Sequence, residues 1–455
     1  MNGTELFDNG EQLRMEDDKG LKKDVLRIVE EGIKKVIPYV ATKEAIHYEG
    51  DTLKIGTMEF LRQDIEHIYV IGVGKGSYPI AQALEEIFGD EITEGFVIVK
   101  EGEKRRLPHI EIFESSHPIP DERSVEGAKR MMAILKKAGS NDLVLAAITG
   151  GASALANLPA DGISVEDLKT VNHQLLKCGA SIGKMNAVRK HLCLIKGGRV
   201  VQCGQPATVI TFTFDTAPPD MPWPDMCLPD PTTFADAIHV LKTYNLWDKV
   251  PVSIRERLTW GMNHPEAETI KSLEGMKQQV ISVADPEMAC LAAAEEAKRL
   301  GYTPYILSTT MEGEAKDVGI VLAGISDEIL TKDRPFKKPC ALISGGETTV
   351  TINGKCGEGG PNQETVLGYI TKIRGAKDFA FVSIDTDGTD GPCKIAGGIV
   401  DGNSKRKLQD AGIEVNSELR EHNSSKVLEA IGGAIMTGHT GTNMMNLRVV
   451  VLKNE

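Results

Sequence analysis

The sequence predicts an α/β protein of two domains: an N-terminal Rossmann-like domain with a mostly parallel sheet, and a C-terminal α/β domain with a mixed sheet. Three observations carry this reading. Apolar runs of strand length alternate with helical patterns, as βαβ units require. Several of those runs end in glycine clusters, where open α/β sheets bind ligands. At 455 residues the chain also exceeds one ordinary domain.

The elements follow in order. Residues 1–21 are polar and acidic and read as a flexible tail. A helix is predicted from Gly20 to Ile37, with Leu26, Val29, Ile33 and Val36 on one face and Pro38 ending it. The run His67–Gly72 reads as a strand, Gly74-Lys75-Gly76-Ser77 as a turn and Pro79–Phe88 as a helix. Further strands are predicted at Gly95–Val99, Asp142–Ile148 and Ala207–Phe214, with basic helical segments over Val165–Lys196. Six prolines and Trp223 within 216–231 break the pattern and form a loop. Helices Thr233–Tyr244 and Pro251–Trp260 follow, and a boundary near 262–275 divides a domain at 22–265 from a second at 275–455. There the alternation resumes with strands at Ile281–Val283, Tyr305–Leu307, Cys340–Ile343, Thr348–Ile352, Phe379–Ile384 and Leu447–Val451.

Composition narrows the partners. A formal net charge of −13 offers no global attraction for nucleic acid or an anionic membrane. It leaves a local anion site open. The eight cysteines form no C-x-x-C pair and read as reduced thiols, which with the polar N-terminus points to a cytoplasmic protein. No apolar run approaches the ~18 residues of a membrane span.

Five glycine-rich turns concentrate the chemistry: 72–77, 149–153, 344–349, 385–391 and 437–443. Glycine there lets backbone N–H groups approach a phosphate. The first is neither a P-loop nor G-x-G-x-x-G; its Lys75 is either a phosphate cation or a solvated lysine. Asp385, Asp387 and Asp390, with Thr386 and Thr389, suit Mg²⁺ or an Asx turn. Arg189 and Lys196, seven apart, would share a helix face as a carboxylate or phosphate grip, or a solvated face. His117 reads as a loop-packing histidine.

Taken together, Gly74-Lys75, His117-Pro118-x-Pro120-Asp121, Thr149–Leu155, Asn186–Lys190, Lys196-Gly-Gly-Arg199, Asn362-Gln-Glu364, Asp387-Gly-Thr-Asp-Gly-Pro392 and Thr440-Gly-Thr-Asn443 resemble the class II glycerate 2-kinases. That family ends in a MOFRL domain, and the likeness runs in order from about residue 22 to 451. It implies ATP- and Mg²⁺-dependent phosphorylation of glycerate, or a related small hydroxy acid, at its 2-hydroxyl. Lys75 then faces the transferred phosphoryl group, Asp215 orients the hydroxyl, and Arg189 or Lys196 clamps the carboxylate. Gly74, Gly76, Gly150, Gly151, Ser153, Glu347, Asn362, Glu364, Thr440, Gly441 and Asn443 would cradle the nucleotide, with Mg²⁺ near Asp387 and Asp390. A homodimer is one assembly open to it. A hydroxypyruvate reductase reading is disfavoured, because the dinucleotide fingerprint is missing.

This chain is a divergent member on that reading. Pro361 stands where the family has arginine, Lys394 where it has an acid, His439 for proline, Asn446 for aspartate and Ala152 for glycine. An arginine near the transferred phosphoryl group can be worth ~10³-fold. A different sugar-acid enzyme and an inactive ligand-binding paralogue therefore stay open as alternatives. The proline-rich loop 216–228 further predicts a preference for a bulkier hydroxy acid over D-glycerate.

Overall fold

A computed structural model describes residues 6–17, 19–214, 225–352, 354, 356–374 and 378–453. Asp215, the Pro-Trp-Pro loop and Lys355 lie outside these residues. The chain divides into two compact units, Pro38–Val283 and the combination of Met1–Ile37 with Ala284–Glu455.

The first unit is built on six strands: β1 (Ile68–Val73), β2 (Ile92–Lys100), β3 (Ile110–Ser115), β4 (Leu143–Ile148), β5 (Thr208–Phe214) and β6 (Gln278–Ala284). Their spatial order is β3-β2-β1-β4-β5-β6. The pairs β1/β2, β1/β4, β2/β3 and β4/β5 are parallel. This is the doubly wound Rossmann order, and its topological switch point lies between β1 and β4. Alternate residues explain why the strands read as unbroken apolar runs. Tyr69, Ile71 and Val73 pack in one core while Ile68 and Val70 pack in another, so both faces of the sheet are covered.

The second unit carries a mixed sheet of β7 (Thr303–Ser308), β8 (Cys340–Ser344), β9 (Phe379–Asp385), β10 (Gly397–Asp401), β11 (Ala434–Ile435) and β12 (Asn446–Leu452). The order is β7-β8-β12-β9-β10-β11. Only β7/β8 is parallel; β12 runs antiparallel to both β8 and β9 and is hydrogen-bonded on both edges. The expected strand over Thr348–Ile352 shrinks to Thr348–Thr349, paired with Gly313–Glu314.

The unit boundaries differ from those expected at 22–265 and 275–455. The predicted helix forms as Leu21–Lys35, and Pro38 starts the next helix, Pro38–Glu44, instead of merely ending one. Leu26, Val29 and Ile33 are fully buried, but in the core of the second unit, with Ala293, Val449 and Val451. Gly32 makes the close packing work: a Cβ there would come within 3.0 Å of the Ala289 carbonyl and 2.9 Å of Leu447. Within the expected tail, Phe7 and Leu13 enter the same core. Helical periodicity identifies an apolar face without naming the surface that covers it.

Candidate active site

In the first unit the switch point is knit together by the two glycine turns. Gly74 N–H donates to the Ile98 carbonyl at 3.1 Å and Lys75 N–H to the Gly150 carbonyl at 2.8 Å. Gly76 N–H donates to Thr149 Oγ1 at 3.1 Å, and Ser77 Oγ to the Ala147 carbonyl at 2.8 Å. A Cβ on Gly74 would fall 2.0 Å from Thr149 Oγ1, and one on Gly76 2.0 Å from the Phe214 ring. These glycines therefore serve backbone-to-backbone packing. Their amides, expected from the sequence to hold the nucleotide, donate here to the Ile98 carbonyl and Thr149 Oγ1. What the turn does present is Lys75, exposed and, among the described residues, without an ion pair. It stands at the start of the helix Ser77–Phe88. In the second turn, by contrast, the Gly150 and Gly151 amides make no hydrogen bond within the described residues.

Beside this turn opens a cavity of about 620 Å³ whose walls include His117, Ile119, Gly151, Ser153, Leu176 and Arg189. Arg189 lies on the helix Ile182–His191, its Nε donating to Asn172 Oδ1 at 2.7 Å. Burial lowers the guanidinium pKa, with Asp225 pulling the other way. Lys196 does not share that helix. The helix stops at His191, and Lys196 precedes a turn whose two glycines, 197 and 198, both have positive φ. Its ammonium is 2% exposed and donates to Ser153 Oγ at 2.7 Å. Lys196 thus orients the Ser153 hydroxyl, whose own proton is left for a ligand. The Arg199 guanidinium holds this segment in place by donating to the carbonyls of Lys190, Cys193, Lys196 and Ala267.

The second unit gathers its polar groups at the ends of β8, β9 and β12. Arg448 on β12 is 1% exposed and donates to Thr348 Oγ1 at 2.8 Å and Asn446 Oδ1 at 2.6 Å. Asp390, expected as a metal ligand, is instead a remote cap on the helix Pro361–Lys372. Its carboxylate accepts from Asn362 N–H, Asn362 Nδ2 and Gln363 N–H, all within 3.0 Å. Asn362 and Glu364, expected to meet nucleotide, are buried in that helix's packing, Asn362 with Ser383 and Glu364 with His422 at 2.8 Å. Thr440 is likewise engaged, its hydroxyl donating to the Thr386 carbonyl. Pro361 occupies the first helical position, where proline costs little.

Of the expected site residues there, Glu347, Gly441 and Asn443 are exposed and Asp387 is half-buried. Asp387 Oδ1 accepts from Thr389 in an Asx-type turn, and its Oδ2 accepts from Asn443 Nδ2 at 3.4 Å. Asp385 sits behind it. Burial, then Asp387, push its carboxyl up to about 8, with Glu347 and Asp390 adding to the rise. Burial also raises Glu347, against the pull of Arg448, with Asp390 and Asp387 adding to the rise. A hard divalent cation fits this all-oxygen set, because it would relieve the mutual repulsion and needs only one or two carboxylates. The one set of three ligand groups gathered within 4.8 Å among the described residues, Glu66-His67-Asp142, lies at the opposite, amino end of β1 and β4.

A Rossmann-order sheet with a lysine-bearing turn at its switch point, joined in one chain to a unit rich in carboxylates and glycine turns, defines an anion-handling α/β enzyme. Two family models match: a domain of unknown function, DUF4147, over residues 24–259, and the MOFRL family over 340–446. A glycerate 2-kinase of Pyrococcus horikoshii is 41% identical over 433 residues, covering 94% of this chain and 97% of its own. A crystal structure of a Pyrococcus horikoshii OT3 protein matches with a TM-score of 0.88 at 40% identity, over 95% of this chain and 99% of that one. That of a glycerate kinase from Thermotoga maritima matches with a TM-score of 0.83 at 33% identity, over 94% and 99%. The chain belongs to the class II glycerate kinase family, with its C-terminal MOFRL domain.

Sequence reasoning missed the cavity wall. His117, read as a packing histidine, lines the cavity, together with Ile119 and Leu176, which are exposed apolar residues. The two prolines flanking Ile119 were the available signal, since they hold that loop away from a sheet or helix.

Proposed function

We propose that this chain is a glycerate 2-kinase, transferring the γ-phosphoryl group of ATP to the 2-hydroxyl of D-glycerate. The observation that carries the reading is Lys75, an exposed cation with no ion pair among the described residues, on a turn at the switch point beside a cavity walled by Arg189 and Ser153. Lys75 supplies positive charge to the equatorial phosphoryl oxygens, where charge stabilisation is most effective. Arg189 can pair with a carboxylate in bidentate fashion. Ser153, oriented by Lys196, donates to a substrate oxygen. The amides of Gly150 and Gly151 are available to a phosphate.

The carboxylates Asp387 and Asp385, with Glu347, suit Mg²⁺, which when bound would neutralise phosphate oxygens. Lys394, exposed and without an ion pair among the described residues, is the cation offered in place of the arginine replaced by Pro361. Asp215, expected from the sequence to orient the hydroxyl, lies outside the described residues. No helix among the described residues is long and apolar enough to cross a membrane.

The test is a coupled ADP-release assay over D-glycerate and a panel of C3–C6 hydroxy acids. Phosphorus NMR then distinguishes the 2-phosphate from other regioisomers. Release of ADP with D-glycerate and formation of the 2-phosphate are expected. No ADP release with any acid at millimolar concentration would sink the reading.

A further inference from the structure

His117 follows β3 in the segment Ser116-His117-Pro118-Ile119-Pro120-Asp121, and Asp121 caps the next helix, Glu122–Leu135. Its ring lies against Gly151: a Cβ on that glycine would stand 3.2 Å from His117 Cδ2, 3.3 Å from Nε2 and 2.9 Å from Lys75 Cγ. His117 and Lys75 therefore flank the same backbone atom at the mouth of the cavity. Among the described residues neither imidazole nitrogen makes a hydrogen bond, so a lone pair of the half-buried ring is free for a ligand. The cavity's described walls contain no carboxylate, and Asp215 lies outside the described residues.

We propose that the His117 imidazole is the general base of the phosphoryl transfer, accepting the proton of the substrate hydroxyl. The assignment rests on the kinase reading of this site. The hydroxyl oxygen forms its bond to the γ-phosphorus while the bond from that phosphorus to the bridging oxygen breaks. ADP leaves with the electron pair. The hydroxyl proton passes to the free ring nitrogen, and the imidazolium returns it to solvent before the next turnover.

The electrostatics suit that role. Burial, then Lys75, then Lys100 hold the imidazole below its ordinary value of 6.5, so it is neutral at pH 7 with one lone pair available. Lys169, His173 and Arg189 also border the cavity, and each disfavours an imidazolium when charged. The neighbouring cations make the ring a weaker base but keep it unprotonated, and they promote release of the proton once taken. His173 borders the same cavity but is exposed, and the side-chain atoms nearest a Cβ on Gly151 belong to Lys75 and His117.

The experiment compares wild type with His117→Gln, which keeps bulk and a hydrogen-bonding end without a titratable nitrogen. At pH 7, kcat on D-glycerate should fall about 100-fold, within the range general bases contribute, while the KM for ATP moves less than about threefold. The wild-type kcat/KM profile should show an acid limb with its midpoint below 6.5, and His117→Gln should lack it. His117→Ala should regain part of its rate with added imidazole. In the nucleotide-free protein, NMR should show one ring titrating below 6.5 that is missing from His117→Gln, and thermal melting should show both variants folded. A kcat within threefold of wild type, an acid limb that persists in His117→Gln, or a ring titrating at or above 6.5 overturns the assignment. A wild type inactive on every hydroxy acid overturns the kinase reading and this assignment with it; an active wild type with an unaffected His117→Gln overturns this assignment alone.

Discussion

Removing the Asp390 carboxylate should destabilise the second unit far more than it impairs cation binding. The helix Pro361–Lys372 starts at Gly360, which has no side chain to cap it, and Asp390 supplies the cap from 28 residues away in sequence. Asp390→Ala strands two backbone donors and the Asn362 amide, all buried. A lost cap costs about 0.5–2 kcal/mol and each unsatisfied buried donor about 1–3 kcal/mol. Because these overlap, the expected loss is about 3–5 kcal/mol. Asp390→Asn keeps the shape but turns one acceptor into a donor facing a donor, costing about 2 kcal/mol. For a unit of roughly 200 residues each kcal/mol moves the melting temperature about 2–4 °C, so Asp390→Ala should shift it by about 6–20 °C. Calorimetry and urea titration with and without Mg²⁺ read this directly. A shift below about 2 °C, together with loss of the Mg²⁺ response, would show a metal ligand and refute the capping argument.

Three further outcomes follow from the same geometry. Lys75→Ala should lower kcat by about two or more orders of magnitude with the melting temperature unchanged, because a charge aimed at the phosphoryl group acts in the transition state; an unchanged rate returns Lys75 to the solvated surface. Arg189→Met should raise the KM for the hydroxy acid about tenfold or more while leaving that for ATP nearly constant, and steady-state kinetics showing the reverse would move the carboxylate elsewhere. Asp385, raised from 3.8 to about 8, holds its proton in the native state where the unfolded chain has lost it. Stability should therefore fall as pH rises from about 4 through about 8. Added Mg²⁺ should flatten that decline, and Asp385→Asn should remove it; thermal melting with no difference between wild type and the variant would clear Asp385 of responsibility for the decline.

The sheet of the first unit was legible because its strands are covered on both faces. Ile68–Val73 and Leu143–Ile148 are buried at every position, leaving unbroken apolar runs in the sequence. Lys75 was legible too, as the one cation in a glycine turn that ends a strand. The turn's internal wiring was not. Whether the Gly76 amide meets a phosphate or Thr149 Oγ1 depends on a residue 73 positions away. The same limit governed the aspartates: Asp385, Asp387 and Asp390 look alike in sequence, yet one is buried beside other carboxylates, one closes a turn and one caps a helix. Arg189 and Lys196 seemed to share a helix because seven-residue spacing is two turns, but the helix ends between them at His191.

The placement of β12 carries a consequence for how this chain is made. The strand Asn446–Leu452 is made after both β8 and β9, yet it lies between them and pairs with both. Those two strands have no direct pairing with each other, so the sheet cannot close until residues 446–452 have been made. The helix Leu21–Lys35, made well before β12, must meanwhile wait with Leu26, Val29 and Ile33 incompletely covered, since Val449 and Val451 form part of its eventual core. Residues 38–283 can complete their own unit during that interval, as domains fold in the order of their synthesis. A nascent chain stalled just short of residue 446 should therefore hold a finished first unit and an early helix available to a chaperone.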